Sequence, residues 1–178
     1  MSNEAETPAE KPSLFAGFVI LLIVIMGIVG WILLGGGVLK LSSLYASFLF
    51  LWYWSAVEKL DMKKLVPGML GALIGIALAA GLHHLPLMSG TLGFIIAISA
   101  VVIAVYLGIV ERVPALFNTA TMLYLTVAAA PAIMESTDFR EMAVATLLGG
   151  GFFAALVFGA QRLAAMMSPA PEADETTG

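Results

Sequence analysis

Six long stretches of this chain contain no Asp, Glu, Lys or Arg, and this spacing of charge restricts the fold more than any other feature. They run over roughly Leu14–Leu34, Leu41–Val57, Val66–Leu82, Gly90–Val110, Val113–Met134 and Met142–Gln161. A helix needs about 20 apolar residues to cross the hydrocarbon core of a bilayer, and the six stretches reach or approach that length. Every charge falls in a tail or a connection. Only 11 % of the 178 residues are charged, 61 % are hydrophobic and the mean hydropathy is +1.02. A soluble domain carries about 25 % charged residues, so lipid must be the main solvent. The expected fold is an all-α, polytopic membrane protein of six transmembrane helices.

The connections carry turn signals. Gly35-Gly36-Gly37 is expected to break helix 1 from helix 2, and Glu58–Leu65 to form a charged loop. Leu85-Pro86 through Gly90 separates helices 3 and 4, and Glu111-Arg112 before Pro114 makes a tight turn. Ser136 or Thr137 is expected to cap helix 6. With the N-terminus inside, Lys11, Lys59, Lys63, Lys64, Arg112 and Arg162 lie on the inner side, and only Lys40 and Arg140 on the outer. That bias places both termini in the cytoplasm by the positive-inside rule. Residues 1–13 (MSNEAETPAEKPS) are expected to be a disordered cytoplasmic N-terminus, 14–165 the six-helix domain, and 166–178 a disordered acidic cytoplasmic tail. The first apolar run is longer than a secretory signal and lacks its cleavage site, so it reads as a retained helix.

The chain echoes itself. KLDMKKLVPGMLGALIGIAL and STDFREMAVATLLGGGFFAAL share a polar start followed by a Gly/Ala-rich helix. Gly71, Gly75 and Ala79 recur at four-residue steps in helix 3, as do Gly151, Ala155 and Gly159 in helix 6. Three helices per unit would invert the second unit relative to the first, an arrangement common in transporters. Glycines at this spacing let helix backbones approach closely, so Gly71, Gly75, Gly151 and Ala155 are the expected packing positions. A subunit interface or a pore lining is the other use of such a face.

Helix 5 is the most polar span, with Asn118, Thr119, Thr121, Tyr124 and Thr126. Threonine can bond its own helix backbone; an asparagine in hydrocarbon wants a partner and is expected to face the bundle interior. In helix 2, Ser42, Ser43, Tyr45 and Ser47 form a parallel polar group. Asn118, Thr121, Tyr124 and Ser47 are therefore the candidate solute-contacting residues. Trp52-Tyr53-Trp54 reads as an interfacial aromatic belt, with stacking on an aromatic substrate as the alternative. His83-His84, at the outer end of helix 3, reads as a polar helix end; adjacent histidines lack the one-turn spacing of a metal-binding pair.

Several classes are disfavoured. A net charge of −4 does not suit nucleic-acid binding. The absence of cysteine removes disulfides, thiol nucleophiles and thiolate metal sites. There is no P-loop, H-E-x-x-H helix or Ser/His/Asp arrangement, and no carboxylate in mid-span for an intramembrane proton relay. No enzyme, cofactor or metal site is expected; an enzyme acting on lipid is the weakest of the readings.

The order LDMKKLVPGMLGALIGIALAAGL, then VPALFNTATMLYLTVAAAP, then DFREMAVATLLGGGFFAALVFGAQRL resembles the six-helix membrane half of the fusaric acid resistance and aromatic acid exporter superfamily. It is closer still to small bacterial inner-membrane proteins of a domain-of-unknown-function family. The resemblance covers about residues 14–165. It implies two similar three-helix units, an oligomer, and movement of small organic anions or aromatic compounds. The larger relatives carry a cytoplasmic domain after the helices, where this chain has a short acidic segment. No catalytic residue transfers, and only the polar face near Asn118 has an equivalent. The expected function is a small inner-membrane permease or channel, homo-oligomeric, working by facilitated diffusion. The alternative is a non-transporting membrane subunit that scaffolds or regulates a partner.

Overall fold

The computed structural model describes residues 14–167. The tails expected at 1–13 and beyond Met167 lie outside the described residues, and residues 166 and 167 continue the last helix rather than belonging to a tail. The described residues form helices joined by short connections, with no strand among them. Helix α1 (Leu14–Trp31) runs on as a π-helix over Ile32–Val38; α2 is Leu44–Ala56, α3 Met62–Ile109, α4 Thr119–Ala128, α5 Pro131–Ser136 and α6 Phe139–Met167. Three helical stretches are long and apolar enough to cross a membrane: Gly17–Val38, Met62–Ile109 and Phe139–Leu163. They mark the chain as a membrane protein. On α1 apolar side chains are exposed on all sides, from Leu14 through Val29. A helix that is apolar all round belongs in a core or in lipid.

The 48-residue α3 is two antiparallel arms. Helical geometry lapses at Ser89 (φ −134°, ψ 15°) and Gly90 (φ 56°, ψ −132°). In a continuous helix Leu85 and Gly93 would stand about 12 Å apart along the axis. Instead a Cβ on Gly93 would overlap the carbonyl of Leu85, so the chain reverses between them. Gly90 supplies the left-handed φ that the reversal needs. Further along the hairpin, Ile74, Ala77 and Leu78 face Ala100, Ile103 and Ala104.

The charged residues collect at two ends. At the lysine-rich end, Ser55 and Leu60 adjoin Ala160, and Lys64 adjoins Ile109, Glu111 and Asn118. At the opposite, histidine end, Ser42 bonds Glu141, Tyr45 bonds Thr137, and both His83 and His84 lie against Phe139. Between these ends α2 and α4 form the centre of the core. Ala46, Ser47, Phe50, Tyr53 and Trp54 of α2, and Ala120, Thr121, Tyr124, Leu125 and Ala128 of α4, are buried. The longer α3 and α6 pack around them, while α1 meets α6 at Gly27, Gly30 and Trp31, on Leu156, Phe152 and Phe153.

Four local expectations need correction. Gly35-Gly36-Gly37 does not break the helix; it winds as π-helix, and Gly35 gives room to Leu44 and to the buried ring of Trp31. The stop comes at Lys40, in the left-handed region at φ 57°. Helix 5 does not run from Val113 to Met134: Asn118 starts α4, and Ala130 turns extended ahead of Pro131, as the residue before proline tends to do. Helix 6 is capped by Asp138, whose Oδ1 accepts the N–H of Arg140 at 2.8 Å; Ser136 and Thr137 bond Ala132 and Tyr45 instead. Of the expected aromatic belt only Trp52 is exposed; Tyr53 and Trp54 turn inward and bond Glu58 and the Asp61 carbonyl.

Gly71 and Gly75 do pack closely, both against α4. Gly151 and Ala155 do not pack within the chain: both are exposed, and nothing lies within 4 Å of a Cβ placed on Gly151. The α6 contacts are made at Gly149, on Ser47, and at Gly150, on Phe50 and Met69. Three consecutive glycines leave the register undetermined by composition, and the neighbouring helix selects among them. A methyl on Gly75 would meet backbone at 2.5 Å (Thr121 O) and 2.8 Å (Leu125 N). Gly75→Ala is expected to destabilise the folded protein in detergent by about 1–3 kcal/mol, the usual cost of overpacking. Gly151→Ala, in open space, is expected to be neutral or stabilising by up to about 1 kcal/mol through helix propensity. Thermal unfolding followed by circular dichroism checks both.

Candidate functional site

Asn118 takes the N-cap position of α4. Its backbone is extended (φ −131°, ψ −175°), and its Oδ1 accepts the N–H of Thr121 at 3.3 Å, while Thr121 Oγ1 accepts the N–H of Asn118 at 3.2 Å. This reciprocal pair satisfies backbone donors that a helix start leaves open. The amide nitrogen of Asn118 donates to the carbonyls of Pro67 (2.9 Å) and Pro114 (3.2 Å). The same side chain therefore begins one helix and ties it to another.

Ser47 does the equivalent work on α2. Its hydroxyl donates to the Ala145 carbonyl of α6 at 2.7 Å, and its Cβ sits against Gly149. The two contacts follow one rule. The accepting carbonyl, Pro67 or Ala145, lies four residues before a glycine, Gly71 or Gly149. An α-helical carbonyl points toward residue i+4, so a bare glycine there uncovers it to a donor from the next helix. A Cβ on Gly71 would overlap the Asn118 amide, and one on Gly149 would meet the Ser47 hydroxyl.

Tyr124, fully buried on α4, donates to the Ala46 carbonyl at 2.5 Å. Thr146 of α6 donates its one hydroxyl proton to the Met142 carbonyl at 2.9 Å, and its oxygen lies 3.4 Å from Tyr124 Oη. Thr121 donates its hydroxyl to Leu116 at 2.6 Å. The polar groups of α2, α4 and α6 thus join into one seam through the core. Of the four candidate solute contacts, Ser47, Thr121 and Tyr124 are all fully buried, with their hydroxyls bonded within the protein. Thr146 belongs to the seam but stands alone in an apolar run, so the sequence carried no signal for it.

Asn118 alone of the four borders a cavity. An open cleft of about 510 Å³ at the lysine-rich end is lined by Lys64, Glu111, Asn118 and Thr119, with Val105, Ile109, Phe117 and Met122 as apolar wall. At the histidine end a second open cleft, about 470 Å³, is lined by His83, His84, Glu135, Asp138 and Arg140 around Phe139. The two imidazole rings meet edge to face at 4.8 Å. Among the described residues no three His, Asp or Glu side chains are placed to hold a metal ion.

The chain matches no protein-family model, no curated protein and no solved structure.

Asn118→Ala removes the cap and the bond to Pro67. Caps are worth about 1 kcal/mol and interhelical hydrogen bonds in membrane proteins about 0.6, so a loss of about 1–2 kcal/mol is expected. Tyr124→Phe, which loses a single buried bond, is expected to cost about 1 kcal/mol. Guanidinium-free unfolding in mixed micelles of increasing anionic detergent content ranks the two variants against the native chain.

Proposed function

We propose that this protein is a six-pass bundle of a bacterial inner membrane with both termini cytoplasmic, acting as a non-transporting subunit that scaffolds or regulates a partner. The six passes are α1, α2, the two arms of α3, the α4–α5 pair and α6. Support comes from the alternation of these elements between the two charged ends. On α6 the guanidinium residues Arg140 and Arg162 bracket a stretch of about 33 Å at 1.5 Å per residue, close to the hydrocarbon thickness of about 30 Å. The described lysine-rich end carries Lys59, Lys63, Lys64, Arg112 and Arg162, and the histidine end only Lys40 and Arg140, which favours the first end as cytoplasmic.

The bundle is built from two inverted three-helix units. The reciprocal contacts support this: the third helix of the first unit packs its glycines on α4, and α6, the third of the second, packs its glycines on α2. Each long helix also begins on an aspartate that caps it, Asp61 for α3 and Asp138 for α6.

The observation that carries the non-transporting reading is the seam. The hydroxyls of Ser47, Thr121 and Tyr124 are spent on the chain's own backbone rather than on a solute, and those of Ser47 and Tyr124 tie helices together. The surface left for function is then the outside of α1 and the exposed Gly151–Ala155–Gly159 face of α6. A second reading, a homo-oligomeric permease or channel for a small organic or aromatic anion working by facilitated diffusion, is favoured by one feature. The cleft beside Asn118 places Lys64 and the Thr119 hydroxyl against an apolar wall.

Reconstituted vesicles separate the two. The scaffold reading expects no uptake above empty vesicles across a panel of small anions and aromatics, and one stable partner on purification in mild detergent. Uptake that Lys64→Gln abolishes would transfer the conclusion to the permease. Topology is testable directly because the chain has no cysteine. Single cysteines at Lys63 and Arg112 are expected to react with an impermeant maleimide only after the cytoplasmic face is opened, and those at Lys40 and Arg140 in intact cells. Labelling of Lys63 and Arg112 positions on opposite faces would remove the six-pass scheme.

A further inference from the structure

Toward the lysine-rich end an apolar groove of about 250 Å³ opens between α1, α2 and α6. Its walls are Ile23, Val24, Leu51, Phe153, Leu156 and Val157, and its mouth is formed by Ser55, Leu60 and Ala160. Water has no partner along such walls, and at that depth a bilayer offers acyl chains. A gap left between apolar helices forfeits dispersion contacts on both sides, so a chain of the right width is drawn in.

The mouth is shaped by an unusual turn. Lys59 (φ 53°) and Leu60 (φ 61°) are both in the left-handed region, which side-chain-bearing residues seldom occupy. The Leu60 N–H donates to the Trp54 carbonyl at 2.9 Å and holds the turn. Its effect is to place Leu60 at the groove, with Lys59 the residue before it and Ala56, which Lys59 bonds, the residue after Ser55 of the mouth. Lys59 Nζ donates to the Ala56 carbonyl at 2.6 Å, which engages one of the three ammonium protons. Of the nearby carboxylates, Glu58 accepts from the Tyr53 hydroxyl and Asp61 from the Lys63 N–H.

We propose that this groove holds one acyl chain of an anionic phospholipid, whose phosphate is met by Lys59 at the lysine-rich end. The site rests on the reading that the chain spans a bilayer, and the experiment keeps the two apart. Full-length protein is stripped of lipid by detergent exchange and then offered equal phosphatidylglycerol and phosphatidylcholine. Retained lipid is read by native mass spectrometry. The native chain is expected to retain phosphatidylglycerol about fivefold over phosphatidylcholine, the factor that one basic residue contributes near an anionic surface. Lys59→Gln, at an exposed position, is expected to bring that ratio to about one with retention of lipid otherwise intact. Ser55→Phe, which fills the mouth, is expected to lose both lipids. Equal retention by the native chain, an unchanged ratio in Lys59→Gln, or native retention in Ser55→Phe would each overturn the site. Flotation of the native chain with vesicles is measured in parallel. Flotation without lipid preference removes the site alone, whereas failure to float removes the bilayer reading with it.

Discussion

Inside hydrocarbon a backbone or side-chain polar group has no water to turn to, and each one left unpaired costs several kcal/mol. The arrangement of this bundle follows from that shortage. At about 1.5 Å per residue, the 13 residues of α2 and 10 of α4 make helices of about 20 and 15 Å, too short to cross the hydrocarbon by themselves. Both therefore sit at the centre, where longer neighbours shield their ends. Their terminal groups are met inside the protein, by Asn118 at the start of α4 and by the carboxylate of Glu141 on the backbone before α2. Among the described residues the exception is Trp31, whose indole N–H is buried without a partner among Gly35, Phe152 and Phe153. Nothing in the structure accounts for it.

Glycine serves two purposes here that composition does not separate. At Gly71 and Gly149 its missing side chain uncovers a carbonyl four residues earlier, so that a polar residue on a short helix has something to bond. At Gly75 and Gly150 it lets α4 and α2 come close enough for dispersion to hold them. The reciprocal use of both devices ties each half of the chain to the other, because each long helix grips the short helix of the opposite half.

The polarity of the fifth span pointed to its Asn118–Tyr124 face as a solute path. The geometry directs most of that face elsewhere. A hydroxyl within 2.7 Å of a backbone carbonyl has used its only proton, as in Ser47, Thr121 and Tyr124. What remains open to a ligand is at the ends of the bundle, in the clefts beside Lys64 and beside His83, and along its lipid-facing sides.

Much of the architecture was legible in residues alone. Uncharged stretches of helical length between charged connections locate the helices, because a charge in hydrocarbon is too costly to leave unpaired. The reversal at Gly90 and the close approach at Gly71 and Gly75 were readable for the same local reasons. Other features needed a partner in space. Whether Gly149 or Gly151 faces the bundle depends on a rotation of α6 that Ser47 and Phe50 decide. Whether Asn118 lies within a helix or begins one depends on the Pro67 carbonyl being present to receive its amide. Whether Tyr53 looks out to headgroups or in to the core depends on Gly68 leaving space for it, and Trp54 turns in to the Asp61 carbonyl. Local sequence determines where a helix can exist; only the packed neighbour, by offering or withholding room and hydrogen-bond partners, determines which side of it is inside.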